Sequence, residues 1–202
     1  MKPKIKGRLG TDEKQMKLGS EYYYDINTID GKTKFVIEEE FMKSRTKKQI
    51  FGYFKRIKST IYHQALEQYH KERQKPVKKR RLITFVSDGF ENYGKGASKY
   101  FYGVCKIVSG VPIACKKYGL KHNNNHIERY NQDIDDRYKT TRNWHSFEST
   151  RETMKMRQAI HNFVNPNMEL KGRTPAEAAG IKLDLGRNKL LKLIEISCMP
   201  KS

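Results

Sequence analysis

The sequence predicts an α/β fold, a single mixed five-stranded sheet with helices packed on its faces. Three observations carry this. Residues 8–41 read as three consecutive strands separated by the turn signals Gly19-Ser20 and Asp30-Gly31. Residues 82–87 (LITFVS) form a short, wholly apolar run, the pattern of a strand covered on both faces. Helical periodicity then alternates with strand-like runs, and a meander followed by such alternation gives one sheet flanked by helices.

Taken in order, residues 8–18 are a weak strand, 21–29 (EYYYDINTI) a strand rich in β-formers, and 34–41 (KFVIEEEF) the third. A long helix follows, capped by Ser44 or Thr46 and running to about Gln74. Its apolar residues Ile50, Phe54, Ile57, Ile61, Ala65 and Leu66 recur at helical spacing. Pro76 stops it, and the basic run KPVKKRR (75–81) is a loop, either a solvated linker or a phosphate contact through Lys78, Lys79 and Arg80. After the strand at 82–87, a short helix is expected over 90–102. A strand with a turn at Gly110 is expected over 104–115, and a helix from about Asn124. A last long helix covers about 148–163, and RTPAEAAGI (173–181) opens a short capped one. The order strand, strand, strand, helix, strand, helix, strand, helix is that of the ribonuclease H-like fold. Residues 1–183 are read as this core and 184–202 as a basic tail.

The 202 residues suffice for one domain with a substantial core, and 36% apolar content with 11% aromatics excludes wholesale disorder. The formal charge of +20 points to a polyanionic partner, because phosphate contacts release counterions and dominate affinity. No apolar run reaches transmembrane length and no signal peptide is read. Cys105, Cys115 and Cys198 show no CxxC spacing, which fits a reducing compartment and excludes the common zinc ribbons and fingers. His122 and His126 stand four apart without an HExxH pattern and are read as structural or surface residues.

In so basic a chain the stretch HNNNHIERYNQDIDDRY (122–138) is conspicuously acidic. On a helical wheel Ile127, Tyr130, Ile134 and Tyr138 make one apolar stripe. Glu128 lies about 100° round from it, at the border of the buried face. Asp133 and Asp136 point away, as solvated acids beside Arg129, Arg137 or Lys139. Asn124 or Asn125 is expected to cap the helix and so fix the height of Glu128 above the sheet. Asp88 ends the most apolar strand, and Asp12 lies inside the first. In the expected topology those strands are neighbours, which sets Asp12 beside Asp88. Carboxylates so crowded repel unless cations sit between them. Oxygen-only ligands suit Mg²⁺ or Mn²⁺, and two such ions can serve displacement at phosphorus.

The three acids in their neighbourhoods (GTDEKQMKLG, VSDGFENY, NNNHIERYN) resemble the catalytic core of DDE transposases with the retroviral-integrase fold. The nearest likeness is to prokaryotic insertion-sequence transposases. The downstream RYKTTRNWHSFES is similar to the family's Arg-spaced tail, and HNFVNPNMELKGRTPAEAAGI to its closing pattern. The resemblance covers about residues 8–183. It implies metal-dependent cleavage and strand transfer at transposon ends, with Asp12, Asp88 and Glu128 as the metal-binding catalytic triad and two ions of Mg²⁺ or Mn²⁺. It implies DNA and further copies of the chain as partners, and a prokaryotic, nucleoid-associated cytoplasmic location. Arg129, Lys139 and Arg142 would hold phosphates, while Trp144 packs. This sequence departs from the pattern in three ways: 39 residues separate Asp88 from Glu128, Trp144 stands where Gly is frequent, and Asn165 and Asn167 replace residues often basic. No end-reading module is read ahead of residue 8, so a truncated, non-catalytic DNA-binding relic is the alternative expectation, with a structure-specific nuclease on the same fold as another.

Overall fold

The computed structural model describes residues 2–110, 125–140 and 146–198, with residues 125 and 135–140 in backbone only. Five strands form one sheet: β1 (Leu9–Leu18), β2 (Glu21–Asp30), β3 (Val36–Met42), β4 (Thr84–Ser87) and β5 (Lys106–Val108). Their spatial order is β3-β2-β1-β4-β5. The first three run antiparallel, while β4 and β5 are parallel to β1. This is the ribonuclease H-like topology that the order of elements predicts.

The β1–β2 connection is a two-residue loop at Gly19-Ser20, and Gly19 takes the positive φ (60°) that suits a tight hairpin. The second connection differs from the expected Asp30-Gly31 turn. The positive φ falls on Lys34 (59°), and Asp30 holds the loop through its carboxylate. That carboxylate accepts from the Lys6 and Lys32 backbone N–H groups and the Thr33 hydroxyl, at 2.8, 3.1 and 2.9 Å. An aspartate that satisfies three donors can hold the bend without a glycine in the left-handed region.

Helix α1 (Lys47–Glu72) buries Ile50, Tyr53, Phe54, Ile57, Ile61 and Ala65 against one face of the sheet, together with α2 (Glu91–Phe101). Helices α3 (Asn125–Thr140) and α4 (Phe147–Phe163) cover the other face. Of the stripe predicted for α3, Ile127, Tyr130 and Ile134 are buried; the Tyr138 side chain lies outside the described residues. Ser146 caps α4 by accepting from the Ser149 N–H at 3.1 Å. Thr174 and Glu177 form the expected capping box on α5 (Pro175–Ala178). Within the segment read as a basic tail, Lys189–Cys198 forms a helix, α6, joined to α5 by a Lys189–Glu177 ion pair of 2.6 Å.

The two faces differ in chemistry. The α1/α2 side is apolar, with the Phe85 ring in contact with those of Phe54 and Phe101. The α3/α4 side combines small apolar clusters with a buried polar layer of Asp25, Asn27, Glu39, Asn131 and Arg157. That layer underlies the site.

Candidate active site

Strand register brings the first two acids together. Thr11 pairs with Ser87, so Asp12 and Asp88 each stand one residue beyond the last paired position of adjacent parallel strands. Carboxyl ends of central strands are where ligand sites collect in such sheets. Asp88 also closes its own turn: its Oδ1 accepts the Phe90 N–H at 3.0 Å, and its carbonyl accepts that of Gly110 at 3.1 Å.

A third acid joins them that sequence reasoning did not single out. Carboxylate oxygens of Asp12, Glu13 and Asp88 lie within 4.8 Å of one another. Alternation along β1 sends Asp12 to the α3 face and Glu13 to the α1/α2 face, and where β4 ends beside them both can reach Asp88. Glu13 accepts from the Tyr93 hydroxyl and is ion-paired to Arg45. The Arg45 guanidinium is itself held between the rings of Tyr24 and Phe90, 4.5 and 4.4 Å from their centroids. The Asp-Glu doublet at positions 12–13 was the available signal, but alternation alone assigns its members to opposite faces.

Glu128 is on the first turn of α3 and exposed, more open than its predicted border position. It stands outside the 4.8 Å cluster, yet its charge acts on Asp12. The link between helix and strand is Asn131, one turn further along the same helix face. Its Nδ2 donates to Asp12 Oδ2 at 3.3 Å, and its Oδ1 accepts from Asn27 Nδ2 at 3.1 Å. His126 docks the start of the helix against bare backbone, since a Cβ on Gly10 would meet its Nε2 at 2.7 Å.

Burial pushes the Asp12 carboxyl up to about 7; the Glu13 N–H opposes this, and the charges of Glu13, Asp88 and Glu128 reinforce it. Glu13 is raised as well, chiefly by burial, although Tyr93 and Arg45 pull it down. Clustered hard oxygen donors are the ligand set of Mg²⁺ or Mn²⁺, so these residues fit the predicted metal.

Beneath the site, Asn27 also donates to Asp25 at 3.1 Å. Arg157 pairs with Glu39 at 3.1 Å and with Asp25 at 3.9 Å, and its Nη1 donates to the Tyr130 carbonyl at 3.1 Å. Tyr130 in turn donates its hydroxyl to Glu39 at 2.6 Å. Burial, then the neighbouring Asp25, raises the Glu39 carboxyl well above its usual range. This layer ties α3 and α4 to β2 and β3 directly behind Asp12.

Of the predicted phosphate-binding residues, Arg129 is exposed and bonded to Glu169 at 2.7 Å. Lys78 and Lys79 lie in an exposed turn before β4, at the end of that strand opposite Asp88. Arg80 donates to the carbonyls of Arg73 and Lys75 at 2.9 and 3.0 Å, fixing the loop. The Lys139 side chain, Arg142 and Trp144 lie outside the described residues, as do His122, Asn123, Asn124, the Asn125 side chain and Cys115.

A scan of family models and a search of curated proteins give no match. Among solved structures the chain is similar to one in the cryo-EM structure of the simian T-cell lymphotropic virus intasome in complex with PP2A regulatory subunit B56 gamma. The TM-score is 0.52 at 11% identity, covering 89% of this chain and 58% of that one. The HTLV-2 integrase catalytic core domain in complex with magnesium, in its dimeric form, gives a TM-score of 0.46 at 15% identity, covering 89% of this chain and 98% of that one. Strand order and the intasome likeness together give the conclusion that the chain has a ribonuclease H-like fold.

Proposed function

We propose that this chain is the catalytic core of a metal-dependent DNA transposase of the DDE type, akin to those of prokaryotic insertion sequences, with Asp12, Asp88 and Glu128 as its acids. The observation that carries the reading is the side-by-side placement of Asp12, where β1 leaves its pairing with β4, and Asp88, just past the end of β4, beside a helix that presents Glu128 and is bonded to Asp12 through Asn131. Asp12 and Asp88 would hold the metal, and Glu128 would complete the ligand set from the solvent side. Glu13 is engaged by Arg45 and Tyr93, which makes it a shaper of the site rather than a free ligand. When bound, two Mg²⁺ or Mn²⁺ ions supply activation of the attacking oxygen and stabilisation of the leaving one.

In cleavage, a water oxygen forms the new bond to phosphorus, the bond from phosphorus to the 3′ oxygen breaks, the water proton passes to solvent, and the leaving 3′ oxygen takes a proton from solvent to become a hydroxyl. In transfer, the freed 3′-hydroxyl forms a bond to a phosphorus of target DNA, whose own 3′ oxygen leaves. Neither step needs a covalent protein intermediate. The net charge of +20 supports DNA as the partner, and pairing of two ends would require more than one copy of the chain. We place the protein in a prokaryotic cytoplasm at the nucleoid; among the described residues no helix is long and apolar enough to cross a membrane. Incubating the full chain with pre-cleaved transposon ends, target DNA and Mg²⁺ tests the reading. Joined products that vanish in Glu128→Gln are expected; cutting without joining would identify a nuclease, and neither product a DNA-binding relic.

A further inference from the structure

On the α1/α2 side of the acids lies a groove of about 820 Å³ that the proposed chemistry does not use. Gly89, the residue after Asp88, is part of its lining, so the groove adjoins the acid cluster along the chain. Among the described residues its other walls are Lys47 and Phe51 of α1, Glu91, Gly94, Lys95, Ser98 and Lys99 of α2, with Ser109 beyond β5. Phe51 is the one aromatic in that lining. The ammonium groups of Lys99 and Lys47 sit 4.4 and 5.5 Å from its ring centroid. Lys95 is paired with Glu91 at 2.6 Å, whereas Lys47 and Lys99 form no ion pair among the described residues. A Cβ at Gly89 would meet nothing within 4 Å, so the backbone there leaves room for a ligand.

We infer that this groove seats an unpaired stretch of single-stranded DNA next to the reacting phosphodiester, with one base stacked on Phe51 and flanking phosphates on Lys47 and Lys99. Sequence-tolerant single-strand binding combines an aromatic platform with a basic track, and both are present here within one wall. The volume falls in the range of about 300–1,000 Å³ of small-ligand sites, enough for on the order of one or two unstacked nucleotides but not a duplex. Lys47 and Lys99 cap the Phe51 ring in the free protein, so a base stacking there displaces their ammonium groups toward the flanking phosphates. The inference rests on the proposed DNA chemistry for its substrate, but the groove contains none of the three acids.

Binding in EDTA therefore tests the groove apart from the reaction. The probes are a short oligothymidylate carrying 2-aminopurine and a duplex of equal length, titrated with the full chain at low salt. Wild type and Phe51→Tyr should quench the probe and prefer the single strand. Phe51→Ala should bind the single strand about 5- to 100-fold more weakly and the duplex as wild type does. Phe51→Leu keeps apolar volume without a π face; with an unchanged melting temperature it should show the same selective loss. The Lys47→Ala/Lys99→Ala double variant should bind more weakly with a shallower salt dependence. Unchanged single-strand binding by Phe51→Ala or Phe51→Leu, equal losses on duplex and single strand, or a Phe51→Tyr as weak as Phe51→Ala would each overturn the assignment. A chain that seats the single strand selectively yet joins no DNA would overturn the proposed function and leave the groove standing, and the reverse pair of results would do the opposite.

Discussion

Replacing Asp12 with Asn should make the metal-free protein more stable, and by an amount that depends on pH. Asp12 is raised from 3.8 to about 7, first by burial. A carboxyl held above its unfolded value binds its proton more tightly in the folded state. Its contribution to stability is therefore complete below about pH 3.8 and is lost as pH climbs to about 7. That rise corresponds to about 4 kcal/mol at 1.36 kcal/mol per pH unit. Solvent reaches part of the group, which screens the charge and sets a lower figure of about 2 kcal/mol. The Asn side chain can still accept the Glu13 N–H and meet Asn131, so little is lost in exchange. Urea unfolding in EDTA should show Asp12→Asn more stable than wild type by about 2–4 kcal/mol at pH 8 and by nearly nothing at pH 4, with the same denaturant slope. Adding Mg²⁺ should narrow the gap at pH 8 by stabilising the wild type alone. An equal difference at both pH values, or a less stable variant at pH 8, would refute the view of Asp12 as a carboxylate held at a cost until a cation arrives.

Glu128→Gln should leave stability within about 0.5 kcal/mol, because the side chain is exposed, yet lower strand transfer by at least about a hundredfold; Asp133→Asn, also exposed, should change neither, and equal losses in gel-based joining assays would mean that the wrong acid was chosen. Arg157→Ala should cost about 3–5 kcal/mol in chemical denaturation, since it strands Asp25 and Glu39 in the interior. Because those two carboxyls can take up protons, that loss should shrink on acidification. Duplex DNA affinity should fall on the order of a thousandfold between 50 and 200 mM salt if about six phosphates are neutralised; fluorescence anisotropy showing a flat salt response would contradict a phosphate-driven interface.

What the sequence made legible follows from periodicity. The 3.6-residue stripe of α1 and the apolar run at β4 each report burial through composition alone, and both stand in the structure where expected. Asp12 and Asp88 were legible because strand neighbours follow from topology, and topology from element order. Glu13 was not, because its partners Arg45 and Tyr93 lie 32 and 80 residues away and no local pattern marks them. The buried layer was hidden for a related reason. Charged residues are ordinarily solvated, so nothing local marks Asp25, Glu39 and Arg157 as buried, and the Arg157–Glu39 contact spans 118 residues. Tyr53 escaped too; its hydroxyl is buried because it donates to Thr28 and to the Glu38 carbonyl at 2.8 and 3.1 Å, a tertiary fact.

The placement of Asp12 and Glu13 on opposite faces of one strand constrains how this chain can vary. Side chains alternate with a period of two, so a single-residue deletion between Leu9 and Asp12 would exchange every facing beyond it. Glu13 would then meet Asn131, and Lys14 would be carried against Arg45 and Tyr93, a cation set against a cation. An insertion of one residue would instead bring Thr11 to the position opposite Asn131 and leave the strand end one acid short. Substitutions along β1 are therefore far easier to accommodate than changes in its length, and length variants among natural copies should cluster in the connections, at Gly19-Ser20 and around residues 73–83, rather than ahead of the acid doublet.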